Sequence, residues 1–294
     1  MRRCLHCQTG FTSAAWQCPH CGFAPPLREG RRVFAPELAE SDEAYPEEAH
    51  WRFQELQDNS FWFRARNDLI QGLAERYFAS ARAFLEIGCS TGYVLSALKQ
   101  ALPRARVCGS EIYSAALAVA AERVGETADL FQMDARHIPF TAEFDLIAAC
   151  DVLEHIADDR AVLQEMHRAL APGGGLLLTV PQHPWLWSWA DELACHQRRY
   201  RSGELEEKCR QAGFSIVFTS SFVTSLLPLI LLRRFLARKR DMDGLWKEHA
   251  LPSWANGILF RCLDWERRRI VSGGRFPWGG SRVVIARKND SVQL

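Results

Sequence analysis

Short apolar runs alternate with stretches of helical spacing over most of residues 83–220, and that alternation organises the chain. Phe84, Leu85 and Ile87 lead into Gly88-x-x-x-Gly92, after which Tyr93 to Leu98 places apolar residues at helical intervals. The pattern predicts a buried strand, a glycine turn and a helix. Further strands are predicted over 105–111, 128–133, 144–151, 176–180, 214–219 and 281–287, with helices through Leu163 and Met166 and over 203–212. Strands interleaved with helices describe an α/β fold, a doubly wound sheet.

The glycine turn is the first candidate for chemistry. A strand that turns on glycines into a helix lets a ligand approach bare backbone N–H groups. Glu86 stands just before it, and a carboxylate there repels a dinucleotide phosphate and suits a cationic or hydroxyl-rich ligand. The spacing is not G-x-G-x-x-G, which weakens a nicotinamide reading. Gly88-Cys89-Ser90-Thr91-Gly92 also fits the G-x-S-x-G nucleophile elbow of hydrolases. Such an elbow follows several earlier strands, whereas the residues before this one look helical or cysteine-bound.

Glu86 and the Gly88–Gly92 loop resemble motif I of the class I S-adenosylmethionine (SAM) methyltransferases. That resemblance covers about residues 47–220 and the last strand, and implies a Rossmann-like sheet of seven strands, the last antiparallel. It puts Glu86 near the methionine end of SAM, with the backbone of Gly88, Cys89, Ser90 and Gly92 packed on the cofactor. Glu111, with Ile112 beside it, matches the family's ribose-binding acid, although Asp is commoner there. Asp134 matches the residue that contacts the adenine amino group, with Met133 or Ala135 lining the base pocket. Asp151 and His155 in Asp151-Val152-Leu153-Glu154-His155 resemble the motif that follows the fourth strand and faces the methyl-transfer centre. His155 is the side chain best suited to take a proton near neutral pH; the alternative is that Glu154 or His155 only caps the next turn.

Outside this core, Cys4-x-x-Cys7 and Cys18-x-x-Cys21 are separated by ten residues. Four thiolates on two tight turns meet the tetrahedral need of structural zinc and resemble a short zinc ribbon over 1–24. Residues 25–46, rich in Pro, Glu and Arg, read as a linker, and 47–294 as the methyltransferase domain. Residues 47–78 read as one helix with an aromatic face of Trp51, Phe53, Leu56, Phe61, Trp62 and Phe63, either core or lid. Residues 181–200 carry Trp185, Trp187 and Trp189, then Asp191, His196, Arg198, Arg199 and Tyr200, and follow a strand's carboxyl end. Such a loop overhangs the site and suits an acceptor with apolar and polar parts.

Residues 221–280 read as a helical insertion. Phe222 to Leu232 is apolar but too short to span a bilayer, and Arg233, Arg234, Arg238, Lys239 and Arg240 follow. Apolar residues beside a basic cluster suggest peripheral membrane contact through 221–240. The net charge of +1 over 294 residues gives no global pull toward nucleic acid. Scattered cysteines and the lack of an apolar leader after Met1 suggest a cytoplasmic protein, with the inner membrane face as its site if the 221–240 contact forms. The reading is a SAM-dependent methyltransferase acting on a small-molecule, glycan or lipid-linked acceptor. Alternatives are an RNA methyltransferase, disfavoured because Cys4 to Cys21 holds no Lys, and a non-catalytic scaffold.

Overall fold

The computed structural model describes residues 1–13, 15–39, 54, 56–236 and 251–289, excepting the side chains of 233–236. Strands β1 (Arg2–Arg3) and β2 (Gly10–Phe11) form a small antiparallel pair. The main sheet takes β3 (Leu27–Arg28), β4 (Arg31–Val33), β5 (Ala83–Ile87), β6 (Arg106–Glu111), β7 (Ala128–Gln132) and β8 (Phe144–Cys150). It is completed by β9 (Leu170–Pro181), β10 (Phe214–Phe222) and β11 (Ser281–Lys288). The helices are α1 (Phe61–Phe78), α2 (Tyr93–Ala101), α3 (Ser114–Val124), α4 (Asp159–Ala169) and α5 (Trp189–Leu193), then α6 (Glu204–Gln211), α7 (Leu227–Leu236) and α8 (Ser253–Val271).

The sheet order is β10-β11-β9-β8-β5-β6-β7-β4-β3. Strands β5 to β9 run parallel, and β11 lies antiparallel between β9 and β10. The chain leaves β5 toward β6 and β7, then crosses to β8 and β9 on the other side. The order therefore reverses between β5 and β8, and a ligand crevice forms outside the carboxyl ends of those strands. Alternate residues of one strand serve opposite faces: Phe84 and Leu146 pack under α1 and α2, while Leu85 and Ile147 join Leu163 and Met166 of α4. Burial on both faces explains why these strands read as continuous apolar runs.

Three expectations change. The seven expected strands are present as β5 to β11, and among the described residues the sheet gains two more, because the stretch read as a linker over 25–46 supplies β3 and β4, and β4 pairs in parallel with β7. Glu40 to Pro46 lies outside the described residues. The helix expected over 47–78 is broken at Ser60, whose extended backbone (φ −83°, ψ 132°) starts α1 afresh; Trp51 and Phe53 lie outside the described residues. The run Phe222–Leu232 is split in character. Phe222, Val223 and Leu226 are buried in the core, whereas Leu229, Leu231 and Leu232 on α7 are exposed.

The cysteine module is fastened to the sheet's edge. The Arg3 amide donates to the Pro139 carbonyl (3.0 Å), and the Arg3 guanidinium pairs with Glu165 at 3.1 Å. Trp16 stands edge-on against Phe34, Phe131 and Phe140, with ring centroids 5.0–5.8 Å away.

Candidate active site

The crevice is floored by three acidic strand ends. Glu86, near the end of β5, is only 2% exposed, and burial pushes its carboxyl well above the usual range against the pull of Arg66. One of its oxygens, Oε2, is buried without a hydrogen-bond partner among the described residues. The loop that follows needs left-handed backbone at Gly88 (φ +69°), Ser90 (+45°) and Gly92 (+75°). A Cβ at Gly88 would lie 2.5 Å from Val152 Cγ2, so this approach of two strand ends requires glycine. Cys89 is buried and donates its amide to Ser110, which ties the loop to β6.

Glu111 ends β6. Its Oε2 accepts the Ser90 amide at 3.0 Å and its Oε1 the Ile112 amide at 2.7 Å. Burial raises its carboxyl, and these two amides oppose the rise. Oε1 also accepts the Tyr113 amide at 3.4 Å, so Oε2 is the oxygen that keeps a lone pair for a further donor. Asp134 follows β7 and accepts both the amide and the guanidinium Nε of Arg136 at 2.9–3.0 Å, with buried Met133 and Ala135 on either side.

Across the switch, Asp151 adopts φ +58°. Its Oδ2 meets Arg66 Nη2 at 2.6 Å, and its Oδ1 accepts the Thr179 hydroxyl at 3.0 Å. Arg66 of α1 is buried, and the charges of Asp151, Glu154 and Glu86 hold its guanidinium protonated against desolvation. Sequence reasoning gave Arg66 no role. The signal was present, because Arg66, Leu69, Ile70 and Leu73 share one helical stripe and all are buried. An arginine in an apolar register needs a buried anion.

Glu154 is fully buried, and neither carboxylate oxygen has a hydrogen-bond partner among the described residues. His196 Nε2 lies 4.0 Å from Glu154, while its Nδ1 is 3.0 Å from Asp191. Asp191 also takes Arg199 Nε at 2.7 Å, and these partners draw its carboxyl down to about 2 against the opposing effect of burial. His155 packs edge-on to His196 with centroids 4.8 Å apart. Though partly open to solvent, the His155 ring has lost enough water, with His196 adding to the effect, to bring its imidazolium down to about 4. The loop is latched here, since Gln197 donates its amide to the Glu154 carbonyl and its side chain to the His155 carbonyl. Glu154, His155 and His196 each offer a ligand atom, all within 4.8 Å of one another, a set able to hold a cation.

Within the loop over 181–200, Trp185 and Trp187 are exposed, while Tyr200 is buried and donates to Asp159 at 2.7 Å. Tyr200 and Asp191 thus build the loop rather than line it. At the N-terminal module, Cys4 and Cys21 Sγ are 3.6 Å apart, as are Cys7 and Cys18. Tetrahedral zinc with Zn–S of about 2.3 Å sets thiolates about 3.8 Å apart, so this donor set fits the metal. A hydrogen bond with Thr9 brings Cys7 down to about 6, toward the thiolate that a metal requires.

The sheet order is that of the class I methyltransferase fold. Residues 85–176 match the family model described as "Methyltransferase domain". The chain is 30% identical to a malonyl-[acyl-carrier protein] O-methyltransferase of Alcanivorax borkumensis, over 60% of this chain and 56% of that protein. It is 29% identical to a ubiquinone biosynthesis O-methyltransferase of Pseudomonas aeruginosa, over 41% of this chain and 54% of that one. The chain spans little more than half the length of these relatives. Among solved structures, phosphoethanolamine N-methyltransferase 2 of Haemonchus contortus with SAM superposes at a TM-score of 0.56, with 19% identity, over 85% of this chain and 59% of that one. The [4+2]-cyclase SpnF superposes at 0.54 with 20% identity, over 78% of this chain and 84% of that one. These structural likenesses establish the fold, and the cyclase among them means that activity must be argued from the site.

Proposed function

We propose that this chain transfers a methyl group from SAM to an oxygen of a small-molecule, glycan or lipid-linked acceptor. The observation that carries the reading is the set of acids at three adjacent strand ends, Glu86, Glu111 and Asp134, around a loop only glycine can form. The partnerless oxygen of Glu86 fits the cofactor's ammonium, and Glu111 Oε2 has a lone pair left for a ribose hydroxyl. The buried Asp134, flanked by Met133 and Ala135, suits the adenine end. When bound, the cofactor supplies an electrophilic methyl on a sulfonium. The protein's part is then to hold the acceptor oxygen in line and dry, which supplies most of the rate.

Asp151, pinned by Arg66 and Thr179, holds its carboxylate at the strand end next to His155. His155, neutral at pH 7, takes the acceptor's hydroxyl proton as methyl transfer proceeds. Oxygen is favoured because both the malonyl-carrier and the ubiquinone relatives are named O-methyltransferases. Calorimetric titration with SAM, repeated on Glu111→Ala, tests the cofactor site. Unchanged affinity in that variant would remove the ribose assignment.

The four N-terminal thiols would hold one structural zinc, and the module would serve as a cap on the sheet edge rather than as a nucleic-acid binder. A lipid-linked acceptor is supported by the exposed apolar surface of α7 and α8, where Leu229, Leu232, Trp254, Ile258 and Trp265 face water beside Arg261. No helix among the described residues is long and apolar enough to cross a membrane, so this contact would be peripheral.

A further inference from the structure

Beyond the cofactor crevice, the carboxyl end of β9 carries an aromatic assembly that the methyl-transfer chemistry does not use. His183 follows two residues after β9 and adopts φ +65°, a left-handed backbone unusual for a non-glycine residue. That geometry is held by its amide, which donates to the Tyr200 carbonyl at 2.8 Å. The turn puts its imidazole against two tryptophans. Trp185 stacks on it at 5.2 Å with 28° between planes, and Trp278, from the segment before β11, stacks on it at 5.4 Å with 24°. His183 is 5% exposed, whereas Trp185 and Trp278 are 56% and 59% exposed. Three near-parallel rings from two distant parts of the chain therefore present broad indole surfaces to solvent.

Two features ask for a ligand. Large exposed aromatic surface costs free energy unless something covers it, and here it is fixed in place rather than scattered. The Nε2 atom of His183 is also buried without a hydrogen-bond partner among the described residues, at a residue more than nine-tenths buried. An unmet buried nitrogen calls for a hydroxyl or a bridging water. Burial, and after it the charges of Arg282 and Arg199, holds this imidazole neutral, so it offers one donor and one acceptor rather than a charge. Both arginines are already paired, Arg282 with Glu206 and Arg199 with Asp191, which argues against an anionic ring.

We infer that the Trp185–His183–Trp278 stack is an acceptor subsite for a neutral pyranose ring. A sugar buries its C–H face on an indole while its hydroxyls stay in water or reach a polar side chain. An open platform suits that amphipathic ring. A planar aromatic acceptor gains most when enclosed on both faces, and the exposed indoles do not enclose one. The inference rests on the proposed role of residues 181–200 as the acceptor loop, and it narrows the acceptor to one bearing a glycan.

The test reads binding, not turnover. Indole N–H resonances of the full-length protein are followed by NMR, with Trp185→Phe and Trp278→Phe assigning the two signals. Methyl pyranosides of the gluco, manno, galacto and rhamno series are added, and 4-hydroxybenzoate serves as a planar aromatic control. S-adenosylhomocysteine is titrated in parallel. At least one saccharide is expected to shift both resonances saturably, and Trp185→Ala or Trp278→Ala to weaken that binding at least tenfold. Both side chains are largely exposed, so these variants keep the fold. Shifts from the aromatic control alone, or from no saccharide, overturn the platform even when S-adenosylhomocysteine binds. Saccharide shifts without S-adenosylhomocysteine binding uphold the platform while sinking the methyltransferase reading.

Discussion

Three backbone amides, of Ser90, Ile112 and Tyr113, donate to the Glu111 carboxylate where β6 ends, so replacing it removes an acceptor at the strand's end while the ladder of β6 with β5 and β7 stays in place. Glu111→Ala should weaken SAM binding by about 1–3 kcal/mol, the scale for hydrogen bonds to a charged group, with the folded spectrum unchanged. His155 gives a second test through pH. A base must be neutral, and a histidine is neutral above its pKa. With that pKa lowered to about 4, kcat should stay flat from pH 7 to pH 5 and fall only as pH drops through about 4. His155→Ala should lower kcat about 100-fold or more. An acid limb near 6.5, or one surviving in the variant, would assign the proton to another group. The strand-end acids were legible because each sits at or near the end of an apolar run. Arg66 was not, because its partner Asp151 becomes a neighbour only when α1 packs on the sheet, and the approach of His196 to Glu154 likewise needs the loop folded over the end of β8.

Among the elements, the N-terminal module shows where pattern reading stops. Its four cysteines are legible from spacing alone, yet its attachment is not. Strands β3 and β4 are two and three residues long, with Arg28, Arg31 and Arg32 among them, so they lack any apolar alternation. The break at Ser60 sits inside an aromatic-rich stretch that reads as one helix, and only tertiary packing decides it. The attachment has a consequence for stability. Purified protein should hold about one zinc per chain, and paired Cys→Ser changes at Cys4 and Cys18 should abolish it. Because Trp16 packs against Phe34, Phe131 and Phe140, metal loss should lower the melting temperature of the whole sheet, not only of the module. Trp16→Ala should cost about 3 kcal/mol by chemical denaturation. A thermal transition unmoved by chelation would mean the module and sheet unfold independently.

For the molecule as a whole, one face carries the cofactor crevice and another, formed by α7 and α8, is apolar and flanked by basic residues. Its Arg267 and Arg268 are paired with Asp264, so the sequence cluster Arg233, Arg234, Arg238, Lys239 and Arg240 carries the electrostatic expectation; Arg238 to Arg240 and Trp246 lie outside the described residues. Co-sedimentation with liposomes should require anionic lipid, weaken with salt and fall when these five are neutralised, each contributing about 1 kcal/mol near a charged surface. Equal recovery in the supernatant with and without anionic liposomes would leave a soluble acceptor.

That apolar face is joined to the helix carrying Arg66 by packing, with Leu263 and Ile270 in the same core as Leu69 and Leu73, and by one bridging side chain. Asn256 of α8 accepts the Phe61 amide at 2.7 Å and donates to the Asn59 carbonyl at 2.7 Å, fastening the first turn of the helix that carries Arg66. The two surfaces therefore share a helix contact. If vesicle binding displaces α8, thermodynamic reciprocity requires that the factor by which vesicles change SAM affinity equal the factor by which SAM changes partitioning onto vesicles. Asn256→Ala, which leaves the packing of Leu263 and Ile270 in place, should move both factors toward one by the same amount.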